Sequence, residues 1–124
     1  MGAQENKQAA EAAYAAFRAG DADGAMADID ESIAWTTRGH NALSGTAHGK
    51  KELGELWGKL MEKDLSSAPR DFIADGDKVV VLTTVTLGGE TVDTADVMTY
   101  NAGGKLVAFE TRGDPQVMDR VFAS

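Results

Sequence analysis

From about Ser66 to Arg112 the hydrophobic pattern keeps a period of two, interrupted by three turn signals: Asp75-Gly76-Asp77, Gly88-Gly89 and Asn101-Ala102-Gly103-Gly104. Alternation over that length specifies strands, and each signal suits a hairpin. The spacing predicts strands near 67–75, 78–87, 91–101 and 105–112, joined as an antiparallel meander. Pro69 cannot donate to a ladder, which puts it at a strand start or a sheet edge. Asp114-Pro115 ends the last strand, and Gln116 opens a short terminal helix with Val117, Met118, Val121 and Phe122 as its apolar residues.

The second of these strands, Lys78 to Leu87, is apolar on both parities. Val80, Leu82 and Thr84 face one way, and Val79, Val81, Thr83 and Val85 the other. A sheet with helices on one face still needs a cover for its second face. A second copy of the chain supplies one, so a homodimer through the outer sheet face is expected.

Ahead of the meander the period is helical. Ala10, Ala13, Tyr14 and Phe17 recur at three- and four-residue steps in a helix over 5–19 that Gly20 stops. Asp21 can cap a short second helix carrying Ala25, Met26 and Ile29. Ile33, Trp35 and Thr37 then alternate with polar or small residues in a short strand, and Arg38 to Gly45 reads as a loop holding His40. After Gly49, Leu53, Leu56, Trp57, Leu60 and Met61 give a third helix. Helices first and a sheet after them make an α+β fold, one domain over residues 1–124.

Composition removes several function classes. There is no cysteine, which excludes a disulfide framework, a thiolate nucleophile and a cysteine metal site. The net charge is −8, with acids scattered and no Lys/Arg stripe, so no nucleic-acid partner is expected. The opening Met1-Gly-Ala-Gln-Glu-Asn-Lys is too polar for a signal peptide, and no apolar run approaches the ~20 residues that span a bilayer. No membrane association and a cytoplasmic location are the expectation. His40 and His48 stand eight apart without a carboxylate at ligand spacing, so no metal is implied, and nothing calls for a cofactor.

One acid stands out. On the third meander strand Val92, Thr94, Asp96, Met98 and Tyr100 share a face, which sets Asp96 among mostly apolar neighbours. A carboxylate there is costly unless it is partnered, protonated or used. The plainer reading is a buried acid tied to a threonine hydroxyl or a backbone amide. The functional reading is an acid or base in a pocket.

Several stretches, in this order, carry a resemblance: Tyr14-Ala-Ala-Phe-Arg-Ala-Gly-Asp21, Ile33-Ala-Trp35, Leu43-Ser-Gly-Thr-Ala-His-Gly49, Ile73-Ala-Asp-Gly-Asp-Lys-Val79, Ala95-Asp-Val-Met98 and Gly104-Lys-Leu-Val-Ala-Phe109. Together they resemble the SnoaL-like branch of the nuclear transport factor 2-like superfamily, which includes ketosteroid isomerases. The resemblance implies a curved antiparallel sheet wrapped around three N-terminal helices, a cystatin-like cone with an apolar pocket, and dimers through the outer sheet face. It places Asp96 where ketosteroid isomerases keep a protonated acid that donates to the substrate oxyanion, a carboxylic acid kept neutral by its apolar site. Their general-base aspartate corresponds to Thr37, which cannot abstract a proton near neutral pH. Their oxyanion-hole tyrosine corresponds to Ala13, with Tyr14 about 100° away around the helix. The Asp-Arg-Asp arrangement of the epoxide hydrolases is not visible either, since parity turns Phe109 and Thr111 inward and Glu110 and Arg112 outward.

In such a cone the core and the pocket wall are the same residues. Asp96 is therefore the expected catalytic residue of an isomerase, cyclase or hydrolase acting on a small hydrophobic carbonyl compound. Tyr14, Phe17, Trp35, Thr37, Trp57, Met61, Leu82, Thr84, Met98, Phe109 and Thr111 are its expected ligand-binding wall. The alternative is a non-catalytic binding or dimerisation module on the same fold.

Overall fold

A computed structural model describes residues 2–123. Helix α1 runs Ala3–Arg18 and α2 runs Ala22–Met26. They are followed by β1 (Ile29–Thr37), β2 (Gly45–His48), α3 (Gly49–Met61), β3 (Ser66–Asp75), β4 (Lys78–Leu87), β5 (Glu90–Tyr100), β6 (Leu106–Arg112) and α4 (Gln116–Val121). The six strands form one curved sheet in the order β2-β1-β6-β5-β4-β3. Among the described residues only β1 and β6 pair in parallel. The meander of β3 to β6 lies where the alternation and the turn signals put it, and Pro69 sits on the edge strand at a break in register.

The first two helices are joined by their capping chemistry. The Asp21 carboxylate accepts from the Gly24 backbone N–H at 2.9 Å, satisfying one of the amides that a helix start leaves unpaired. A Cβ on Gly24 would stand 2.3 Å from that same carboxylate. Gly24 therefore weakens its helix for a packing reason that the sequence did not disclose.

Three local expectations change. Ile29 belongs to β1, where it pairs with Leu106, and not to the second helix. The Arg38 to Gly45 loop is followed by a strand that periodicity missed, since Gly45–His48 is only four residues long and has no apolar alternation. It forms by pairing along the edge of β1. Residues 29–32 extend the short strand backwards, across a register shift that lets polar residues sit in it.

The core lies between the concave face of the sheet and the helices. α1 packs across β3 and β4, and α3 packs across β1 and β2. Ile33, Leu53, Val79 and Val81 are fully buried there.

The register of β4 against β5 decides which of its two apolar faces is inside. Val79, Val81 and Thr83 pair with Met98, Asp96 and Thr94, and all three are completely buried. Leu82 and Thr84 pair with Ala95 and Asp93 on the opposite, outer face. Their assignment to the pocket wall is therefore corrected. A strand apolar on both parities carries no local signal to break the tie; the neighbouring strand breaks it.

Met61 is corrected too. It is the last residue of α3 and is 48% exposed. Eight residues after Leu53 it lies about 80° around the helix from it, at the border of the apolar stripe. The chain also turns away there into Glu62–Asp64.

Candidate functional site

The concave face and the helices enclose a cavity of about 200 Å³. On a comparable scale a single water needs roughly 10–15 Å³, so the space suits a molecule of ten or more non-hydrogen atoms. Its wall is largely apolar and carries a group of aromatic rings. Trp35 stacks on Phe109 with ring centroids 3.5 Å apart, and Trp57 meets Trp35 edge-on at 5.7 Å. Phe17 meets Trp57 edge-on at 5.2 Å. Such rings give a flat, rigid, apolar surface.

Asp96 projects from β5 into this space and is only 5% exposed. Both its oxygens are occupied by neutral donors. Thr111 lies directly opposite on β6 and donates its hydroxyl to Oδ1 at 2.9 Å. The Tyr14 hydroxyl, reaching across from α1, donates to Oδ2 in a short hydrogen bond. Tyr14 is held in turn by an edge-on contact with Phe72 at 5.6 Å.

No cation touches the Asp96 carboxylate among the described residues. Burial raises its pKa above the usual aspartate range, since the charged form has lost its water; the hydroxyl bonds from Tyr14 and Thr111 pull the other way. Burial also raises the Tyr14 pKa, and the Asp96 charge beside it adds to the effect, so the phenol stays protonated.

Of the residues expected on the wall, Tyr14, Phe17, Trp35, Thr37, Trp57, Met98, Phe109 and Thr111 line the cavity together with Asp96. Met61, Leu82 and Thr84 do not. The position of Tyr14 revises what the resemblance implied. Ala13 and Tyr14 both border the cavity, and the longer side chain spans the distance to β5. A tyrosine hydroxyl thus does reach Asp96, from the position after Ala13, and Thr37 lines the same cavity.

Glu110 and Arg112 face outward as parity requires, joined by a 2.7 Å ion pair, with Arg38 also on Glu110 at 3.5 Å. His40 is exposed, and its backbone N–H donates to Asp119 at 2.8 Å. Among the described residues no set of His, Asp and Glu is arranged to hold a metal ion.

Sequence reasoning missed Arg38, Ser67, Thr94 and the terminal-helix residues Val117 and Met118 as lining residues. Thr94 had a signal, its shared face with Asp96. The contribution of α4 had none, because the side of the cone on which the chain would end is not a local property.

An α+β cone with an apolar pocket and a buried acid in its wall defines a class of protein, and the comparisons agree with the fold. The chain belongs to the SnoaL-like domain family, which it matches over residues 10–109. It is similar to a solved NTF2-like protein of unknown function from Burkholderia pseudomallei, with 28% identity, a TM-score of 0.84 and coverage of 97% of this chain and 98% of that one. It is equally similar in sequence to TerC, solved in co-crystals with polyporic acid: 28% identity, TM-score 0.79, coverage 97% and 99%. A protein with cystatin-like fold from Xanthomonas campestris, 24% identical over 96% of this chain and 98% of that one, shares the fold with a TM-score of 0.82. A search of curated proteins gives no significant match. No helix among the described residues is long and apolar enough to cross a membrane.

Proposed function

We propose that the cavity binds a small hydrophobic carbonyl compound and that Asp96 exchanges a proton with it. The observation that carries this reading is the pairing of Asp96: a buried carboxylate whose two oxygens accept from Tyr14 and Thr111 inside an apolar cavity. Two donors on two oxygens suit the ionised form, while desolvation raises its proton affinity towards that of a useful base.

The step is a proton abstraction beside the carbonyl. Asp96 takes a proton from the adjacent carbon, the C–H electron pair becomes the new C=C bond, and the carbonyl π pair moves onto oxygen. Once protonated, Asp96 no longer requires the Tyr14 hydrogen bond, and the phenol is free to donate to the enolate oxygen. Returning the proton from Asp96 to a different carbon makes the reaction an isomerisation; if the enolate carbon instead attacks a second carbonyl carbon of the same molecule, that carbonyl's π pair moves onto its oxygen, which takes the proton from Asp96, and the reaction is a cyclisation. The neighbour co-crystallised with polyporic acid is consistent with a cavity of this shape accepting an organic molecule.

A probe ketone tests the chemistry without knowledge of the natural substrate. In deuterated buffer the wild-type protein should accelerate exchange of the α-protons of β-tetralone, followed by proton NMR. Asp96→Asn should lower that acceleration by about 100-fold or more, the usual worth of a positioned base. Wild-type exchange no faster than buffer, with β-tetralone bound, would contradict the reading.

That result would favour the second reading, a non-catalytic binding module. The observation behind it is Thr37, a hydroxyl on the wall where the isomerases carry their base. On either reading a homodimer through the outer face remains a proposal, supported by Ile73, which is 54% exposed there opposite Val80 and beside the half-buried Leu82 and Val97.

A further inference from the structure

Three threonine hydroxyls on the part of the inner face formed by β4, β5 and β6 differ in one respect. Thr83 shares a 2.8 Å hydrogen bond with Ser67, and Thr111 donates to Asp96 at 2.9 Å. Thr94 lies between Thr83 on β4 and Gly113 beyond β6, and it lines the cavity. Its hydroxyl is shut off from water and has no hydrogen-bond partner among the described residues.

A buried hydroxyl without a partner is costly, and valine would fill the same volume without that cost. The surroundings of Thr94 offer the hydroxyl a place to go. Its methyl group faces Gly113, where an added Cβ would stand 3.3 Å from it. Gly113 also has a φ of +148°, which disfavours a side chain there. The glycine keeps open a gap on the cavity wall, and one staggered step about the threonine χ1 carries the hydroxyl to the place the methyl now holds at that gap, while the methyl moves to the place of the β hydrogen.

We infer that Thr94 is the second polar anchor of the cavity, its hydroxyl turning to hydrogen-bond an oxygen of the ligand on the Gly113 side while a first oxygen meets Tyr14 and Asp96. The inference rests on the reading of the cavity as a ligand site centred on Asp96, and it narrows the ligand class. Residues two apart on one strand face are about 6.6 Å apart along it. The ligand is then a flat apolar molecule with two oxygens, carbonyl or hydroxyl, on opposite sides of its ring system. The aromatic ladder from Phe17 to Phe109 suits such a ring system.

The probes are β-naphthol, with one hydroxyl, and dihydroxynaphthalenes with one hydroxyl on each ring; their affinities are read by calorimetry for wild type, Thr94→Val and Thr94→Ser. At least one diol should bind wild type about tenfold more tightly than β-naphthol, a difference of about 1.4 kcal/mol. Thr94→Val should erase that gain, bringing the diol and β-naphthol to the same affinity, and Thr94→Ser should keep it. Without ligand, Thr94→Val should leave Tm unchanged or raise it by a few degrees, on the order of 2–6 °C, since it removes an unpaired group.

A diol gain that is missing, or that survives Thr94→Val, overturns the anchor and leaves the Asp96 reading standing. A Tm that drops by several degrees in Thr94→Val overturns it independently, because the hydroxyl would then be engaged within the protein. If β-naphthol itself fails to bind, the cavity reading fails and the anchor falls with it.

Discussion

Asp93 and Asp96 stand three residues apart on β5 and face opposite ways. Each accepts a threonine hydroxyl, Asp93 from Thr84 at 2.8 Å and Asp96 from Thr111 at 2.9 Å. There the likeness ends. The Asp93 side chain is 72% exposed, and Arg70 stands 3.9 Å away on the next strand but one. Asp96 is buried, its second partner is a phenol, and burial raises its pKa. The same carboxylate with the same first partner is a hydrated surface group on one face and a desolvated acid on the other. The difference is solvation, which parity along a strand decides.

The largest way to break that comparison is by substitution. Asp96→Asn should abolish catalysed β-tetralone exchange, whereas Asp93→Asn should retain near-wild-type rates; equal losses would mean that the carboxylates act through overall charge and not position.

Next comes the packing around them. Val81, beside Asp96, and Leu82, beside Ala95, are neighbours on β4 with opposite faces. Val81→Ala should cost about 2 kcal/mol in chemical denaturation, in the range of buried aliphatic truncations. Leu82→Ala should cost less in a monomer, despite deleting more atoms. A Leu82→Ala loss that grows with protein concentration would instead report an outer face covered by a second copy.

A smaller effect separates the partners of Asp96. The hydrogen bonds from Tyr14 and Thr111 both favour its charged form, that of Tyr14 more. Tyr14→Phe should therefore move the Asp96 titration upward, and Thr111→Val should move it upward by less. The reverse order would show that Thr111 is the tighter donor.

The smallest effect is on stability against pH. A folded-state pKa raised above the unfolded value of about 3.9 means that the native state holds its proton longer. The stabilisation from Asp96 is therefore fully present below the unfolded pKa and is lost as pH rises through the folded one. In the difference between wild type and Asp96→Asn, wild type should lose ground as pH rises across that window. Glu90, paired with Arg120, has a lowered pKa and gives the opposite slope, losing its contribution as pH falls.

Much of this arrangement was legible in the order of residues, because strand parity is a local property wherever one face is polar. The alternation along β5 and β6 put Asp96, Met98, Phe109 and Thr111 inside and Glu110 and Arg112 outside, as found. On β4 the alternation had nothing to report, since Val80 and Leu82 are as apolar as Val79 and Val81. Only the pairing Val81 to Asp96 chooses between them. Tyr14 was expected on the wall and lies there, but its hydrogen bond to Asp96 was not foreseen, for a related reason. Periodicity says which residues share a helix face, but not where along the sheet that face comes to rest, so the reach from α1 to β5 could not be inferred from a one-residue offset. Thr94 was seen on the right face, yet its lack of a partner depends on Ser67 having taken Thr83 and on the absence of a side chain at Gly113.

The central claim, that Asp96 is a desolvated acid inside the cone, is tested most directly by carboxyl NMR titration of aspartate-labelled protein, with the Asp96 signal assigned by its loss in Asp96→Asn. A midpoint above the roughly 3.9 of a solvated aspartate is the predicted result. A midpoint at or below that value would show that burial does not govern the charge on this group, and would contradict the account.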